Sequence, residues 1–213
     1  NLPLCLTGGA ALNVLVNQRV IDECDREVFV SPNPNDCGLS LGMFLSEYPQ
    51  KIKSVAYNGI EILDLKNLNT HVIDRGAKKV TFEEIVDLLK AGKIIGLMYG
   101  NSEVGPRALG NRSIICDPSY SKMKEILNKK VKFREWFRPF APACLLEDSN
   151  KFFDNVFESP YMSYAPFVKN EFRSILPAIT HEDGTARLQT VTKEQHEIFW
   201  SILNELKSKL NEE

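Results

Sequence analysis

The stretch Gly92–Pro118, GKIIGLMYGNSEVGPRALGNRSIICDP, decides the architecture. Its first half is a short apolar run bounded by glycines, which reads as a buried strand rather than a helix. That strand delivers the chain into a loop with Arg107 and Arg112 five residues apart, glycine on either side of Arg107, and Ser113 directly after the second arginine. Glycine gives up side-chain packing and costs backbone entropy, so the loop should need its backbone bare. Upstream, TFEE (81–84) is a capping box, Thr81 at the N-cap and Glu84 three later, opening a helix through Lys90. Helix, buried strand and glycine loop in succession imply an α/β protein.

The same plan occurs twice near the start. LPLCL and VFV read as strands, TGG and SPNPNDCG as the loops after them, and AALNVLVNQRVI and LSLGMFLSEY as helices. Residues 49–75 lose this order and read as a connector with an edge strand. At the far end, Thr192 and Gln195 form a second capping box. Ile198, Phe199, Ile202, Leu203 and Leu206 then fall on one face of a helix. The expected organisation is a front piece (1–50), a connector (51–74) and an α/β domain (75–213).

The composition, 43% hydrophobic and 25% charged among 213 residues, is that of a globular protein with a real core. No apolar run approaches the about 20 residues needed to cross a bilayer, and no basic leader precedes the first strand. Five scattered cysteines (5, 24, 37, 116 and 144), without a CxxC pair, read as reduced thiols of a cytoplasmic protein. The net charge of −2 argues against general affinity for nucleic acid, but its distribution is uneven. From Arg107 to Arg138 there are nine basic and three acidic side chains, a balance of +6, so the other residues carry −8. A basic island in an acidic body suits a small anion.

Three segments share the chemistry of that island. In the first, a glycine-rich turn presents N–H groups while Arg107 and Arg112 offer guanidinium forks to phosphate or carboxylate. It is not a P-loop, since GxxxxGK[ST] is missing, and on spacing alone a turn with surface arginines would look the same. In the second, VKFREWFRPFAP, Lys132, Arg134 and Arg138 alternate with Phe133, Trp136 and Phe137. As a strand it would send Lys132 and Arg134 one way and Phe133 into the core. Alternating basic and aromatic residues also suit single-stranded nucleic acid, an RNA-binding reading from another class. In the third, THEDGTARLQTV, Asp183-Gly184 is a turn, Arg187 and Gln189 share a strand face, and His181 stands close enough to join them. No nucleophile–base pair accompanies these arginines, and chemistry made mostly of positioning and charge neutralisation is phosphoryl or nucleotidyl transfer.

LTGGAALNVLVNQR, NPNDCGLSLG, GPRALGNRSIICDP, KFREWFRPFAP and DGTARLQTV, in that order from Leu6 to Val191, resemble the C-terminal portion of the O-carbamoyltransferases of nodulation-factor and antibiotic biosynthesis. The resemblance implies the end of an actin-like (ASKHA) domain followed by a YrdC-like domain, a twisted mixed sheet with flanking helices. The YrdC-like part would make carbamoyl adenylate from ATP, with Mg²⁺, and carbamoyl phosphate. The actin-like part would pass the carbamoyl group to a hydroxyl acceptor. By that resemblance Arg107, Arg112, Lys132, Arg134 and Arg138 hold phosphates. Asn111, Ser113, Asp183, Arg187 and Gln189 line the same pocket. Gly8, Gly9, Asn13 and Gly38 admit the adenylate to the actin-like part, and Asp36 binds iron(II). The family's paired metal-binding histidines have no counterpart in His71, His181 or His196, so the chain reads as a piece whose partner is an upstream actin-like region. Partners beyond that are small molecules, with neither nucleic acid nor membrane expected. A threonylcarbamoyl-adenylate synthase using threonine and bicarbonate would share the fold.

Overall fold

The computed structural model describes residues 2–211 other than 53, 62, 63 and 65. Of the expected connector, Lys53, Ile62, Leu63 and Leu65 therefore lie outside the described residues. The protein is mixed α/β, and its described strands pair two by two in three separate ladders.

In the first ladder β1 (Leu4–Leu6) runs parallel to β2 (Val28–Val30), joined through α1 (Val14–Glu23). Asn13 starts α1 by accepting the N–H groups of Leu15 and Val16, both at 3.2 Å, which satisfies donors that the first helical turn leaves over. After β2 a tight turn, Asp36–Gly38, leads into α2 (Leu39–Glu47). This front piece shares its core with the rest of the chain. Ala11 and Val30 pack with Tyr164, whose hydroxyl donates to the Val28 carbonyl at 3.0 Å, and buried Asn17 donates to the Ser163 carbonyl at 3.0 Å.

The expected connector is more ordered than its composition suggests. It contains α3 (Leu68–Asp74), and residues 56–60 lie along the arginine loop. Gly59 N–H donates to Ser102, Ser102 N–H to Ile60, and Val104 N–H to fully buried Ala56. The Tyr57 hydroxyl reaches the Leu109 carbonyl at 3.0 Å. Short polar segments hide this order because their partners are backbone groups some fifty residues away.

The Thr81–Glu84 capping box forms with both of its bonds, at 3.2 and 2.9 Å, and opens α4 (Phe82–Lys90). Next comes the predicted buried strand, β3 (Ile95–Met98), and the arginine loop proves to be the turn of a hairpin whose return strand is β4 (Arg112–Ile115). One face of this hairpin, Ile95, Leu97 and Ile115, packs against Val86 and Leu89 of α4 and Ile202 of α8 (Glu197–Asn211). The second expected capping box is only half present. Gln195 N–H donates to Thr192 Oγ1 at 3.3 Å within a turn, and the helix itself starts later, where His196 Nδ1 accepts the Phe199 N–H at 3.0 Å.

The basic segment departs from expectation. α5 (Met123–Ile126) continues into a wider π turn, Leu127–Lys132, that buries Leu127 and Asn128. Phe133 then adopts a left-handed backbone (φ 49°), so residues 132–134 are not a strand and Phe133 is 83% exposed rather than in the core. Tertiary bonds to Asn128, described below, override the alternation. The third ladder sets β5 (Ala143–Leu145) parallel to β6 (Gln189–Val191), with α6 (Leu146–Phe152) and α7 (Asn170–Arg173) beside it.

Candidate functional site: a cluster of arginines

Four arginines from three segments lie close enough for their charges to act on one another. Burial first, and then the charges of Arg107, Arg134 and Arg138 in that order, lower the Arg187 guanidinium to about 10. Its Nε is fully enclosed and has no hydrogen-bond partner. Arg107, half-buried, is also lowered by burial. Arg134 is lowered by burial first and then by Arg138. Like charges drawn together in a low-dielectric recess repel, and an anion among them removes the repulsion.

The arginines are held to different degrees. Arg134 Nε donates to Asn128 Oδ1 at 2.7 Å, and its guanidinium lies 4.6 Å from the Phe140 ring centre. Fully buried Asn128 also donates to the carbonyls of Trp136 (3.1 Å) and Arg138 (2.9 Å), which folds residues 134–138 around one amide. Arg138 makes only a long, exposed contact to Glu135, 3.5 Å. Arg107 lies in a crevice against Pro32, Tyr161 and Ser163, where the arginine loop meets the front piece. Gly105 makes that approach possible: a Cβ there would sit 2.7 Å from the Pro32 carbonyl oxygen.

Beside Arg187, the Asp183 carboxylate accepts both the N–H (2.9 Å) and the hydroxyl (2.7 Å) of Thr185. Burial alone would raise Asp183, but these bonds and the nearby His181 hold its carboxyl below the usual value. His181 Nδ1 stands 2.9 Å from the Thr185 hydroxyl. Burial lowers His181; Asp183 opposes that, while Arg187 and Lys124 add to it, so this histidine does belong to the polar cluster.

Other expected site residues lie elsewhere or serve the loop. Arg112 and Lys132 are exposed, and neither is among the charges that act on Arg187. Ser113 Oγ accepts the Gly110 N–H at 2.9 Å, Asn111 donates to the Asn101 carbonyl at 2.5 Å, and buried Gln189 donates to the Leu109 carbonyl at 2.8 Å. Nor does the turn present its N–H groups outward. Glu103 Oε1 accepts those of Leu109 (2.8 Å), Asn111 (2.9 Å) and Arg112 (3.1 Å). Glu103 and Asn128 were the residues that sequence reasoning missed. An acid between glycines and an amide among lysines look like solvent-facing residues until the loops close on them.

The front-piece residues form a separate place. Gly8 (φ 85°) donates its N–H to the Pro34 carbonyl at 2.7 Å, and Gly9 has open space beside it. Gly38 is pressed against Asn33, whose carbonyl oxygen would be 2.3 Å from a Cβ. These loops and α2 bound a cleft of about 510 Å³ lined by Thr7, Ser31, Asn33 and Asn35, and the enclosed Oδ1 of Asn35 has no partner. Asp36 is exposed, and no group of three or more His, Cys, Asp or Glu that could hold a metal occurs among the described residues. Asp36 offers a single carboxylate, so iron(II) there would need ligands from beyond the described residues. No helix of the described residues is long and apolar enough to cross a membrane.

Comparison with known proteins gives these features a family. Residues 86–212 match the profile described as Carbamoyltransferase C-terminus. Nodulation protein NolO of Bradyrhizobium diazoefficiens is 36% identical over 97% of this chain and 41% of its own length. Nodulation protein NolNO of Sinorhizobium fredii is also 36% identical, over 94% of this chain and 32% of its own. Nodulation protein U of Sinorhizobium fredii is 34% identical over 92% and 35%. The chain thus spans only a third to two-fifths of the length of these relatives. With the family profile covering more than half of it, the chain belongs to the carbamoyltransferase family and corresponds to its C-terminal part.

Proposed function

We propose that this chain is the carbamoyl-adenylate-forming part of an O-carbamoyltransferase, and that the arginine cluster is where the adenylate is made. The observation that carries this is Arg187, with its enclosed Nε unpartnered among Arg107, Arg134 and Arg138. The phosphate of carbamoyl phosphate and the pyrophosphate of ATP both leave as anions. Fixed guanidinium groups neutralise that charge without reorganising, which is what such a reaction asks of a protein. Mg²⁺, carried in on the nucleotide, would share this neutralisation. The cleft lined by Thr7, Asn35 and Gly38 is then the receiving place, where an upstream actin-like region would complete the site for transfer to the acceptor hydroxyl.

The test is exchange of labelled pyrophosphate into ATP by the full-length protein, with Mg²⁺ and carbamoyl phosphate present. Arg187→Met should abolish exchange while leaving the melting temperature unchanged or higher, because it removes a buried charge that only the ligand compensates. A wild-type protein that folds but shows no exchange sinks the proposal. Exchange supported by threonine and bicarbonate instead would assign the threonylcarbamoyl chemistry.

A second reading has one observation in its favour. Phe133, Trp136 and Phe137 are 83%, 68% and 55% exposed beside Arg134 and Arg138, an arrangement that stacks bases. It predicts retention of RNA oligonucleotides without ATP, falling steeply with salt. Filter binding at low salt that retains nothing removes it.

A further inference from the structure

We infer that Glu103 is a positioning residue of the arginine pocket, its carboxylate occupying the nest of backbone N–H groups that a phosphate would otherwise fill. This rests on the reading of the cluster as an anion site. Three N–H groups converging on one point form a concavity suited to an anion. Here a single oxygen of Glu103 takes those of Leu109, Asn111 and Arg112 at 2.8–3.1 Å, and Ser113 takes that of Gly110. Two carbonyls of the same turn are committed as well. Leu109 accepts from Tyr57 (3.0 Å) and Gln189 (2.8 Å), and Asn111 accepts from the Tyr99 N–H at 2.8 Å.

Two consequences follow for the pocket. First, the N–H groups of residues 109–112 are all taken, so this part of the loop meets an anion through side chains and not through its main chain. Second, Gln189 lies two residues after Arg187, and its bond to Leu109 ties the segment that bears Arg187 to the loop that bears Arg107. The spacing between these two arginines is therefore set on the inner side of the turn, with Glu103 fixing the turn itself. The charge of Glu103 acts on Tyr57 and His196, the groups behind the loop.

The deciding measurement is amide hydrogen exchange in the unliganded full chain, read beside calorimetric titration with inorganic pyrophosphate. In Glu103→Ala the amides of Leu109, Asn111 and Arg112 should exchange at least about tenfold faster while those of α8 keep their rates. Pyrophosphate affinity should fall about tenfold as the arginines lose their spacing. Glu103→Gln, whose amide oxygen can accept the same three bonds, should restore slow exchange and bring affinity within about threefold of wild type. Unchanged exchange in Glu103→Ala overturns the inference, as does Glu103→Gln behaving like the alanine variant. If Glu103→Ala does not fold, Glu103→Asp, one methylene too short to reach all three groups, decides by the same rates. If the wild type binds no pyrophosphate while exchange responds as expected, the anion reading fails and the role of Glu103 in fixing the turn stands.

Discussion

The two glycine-rich turns of this protein look alike in sequence and do opposite jobs. At TGG, residues 7–9, an added Cβ at Gly8 or Gly9 would meet nothing within 4 Å. At GPRALG, residues 105–110, a Cβ on Gly105 would press on the Pro32 carbonyl, and one on Gly110 would come within 2.8–2.9 Å of the His196 and Phe199 rings. The first turn leaves space beside its backbone and a cleft next to it. The second uses its glycines to pack an arginine-bearing loop tightly onto the body of the protein. A bare backbone therefore need not mean a backbone offered to a ligand. It also lets a loop approach its own scaffold closely enough to be held rigid.

The largest expected effect breaks the packed turn. Gly110 has φ 119°, a region that side-chain-bearing residues avoid, and there is no room for a methyl group beside His196. Gly110→Ala should cost about 2–4 kcal/mol in urea unfolding, from backbone strain and overpacking together. A loss below about 1 kcal/mol would show that the loop can move off α8, and the rigidity ascribed to it would be wrong.

A smaller effect comes from two histidines, buried His196 behind the packed turn and partly buried His181 beside Arg187. Burial holds both His196 and His181 below the ordinary imidazole value near 6.5, with Glu103 and Asp183 opposing it only in part. For a base whose folded value is depressed, the unfolded chain binds more protons as the pH drops below about 6.5. Stability should thus be complete above that pH and fall on acidification, by on the order of 1 kcal/mol between pH 7.5 and 5.5. His196→Asn should flatten this slope. Bound pyrophosphate should flatten the His181 share alone, since an anion beside Arg187 favours the charged imidazole. A urea midpoint that does not move between these pH values contradicts the neutral state of both rings.

How much of this was legible beforehand divides along the same line. Local rules found the Thr81 cap, the strand Ile95–Met98, the apolar face of α8 around Ile202, and the three segments that carry Arg107, Arg134 with Arg138, and Arg187. The five ordered motifs that resembled the carbamoyltransferases led to the family that the comparisons establish. Local rules failed wherever the partner was distant in sequence. The alternation of Lys132, Phe133 and Arg134 imitates a strand, but Asn128 captures the carbonyls of Trp136 and Arg138 and turns the segment into a loop. Arg112, matched to Arg107 by spacing, points away because the return strand pairs it with Met98 on the exposed face of the hairpin. Glu103 left no trace that periodicity or composition could register, since its three partners are backbone groups.

The smallest expected effect tests the open turn. Gly9 begins the short helical turn Gly9–Leu12 without a positive φ and with empty space where a side chain would go. Gly9→Ala should therefore change stability by less than about 0.5 kcal/mol, in contrast to Gly110→Ala. If a carbamoyl adenylate occupies the open space at Gly9, the added methyl meets the ligand and not the fold. In the full-length protein, carbamoyl transfer should then drop while carbamoyl-phosphate-dependent pyrophosphate exchange continues. Loss of both activities would mean that the two turns serve one site. Loss of neither would leave the open turn without a function in the reaction, because a stability effect this small cannot hide one.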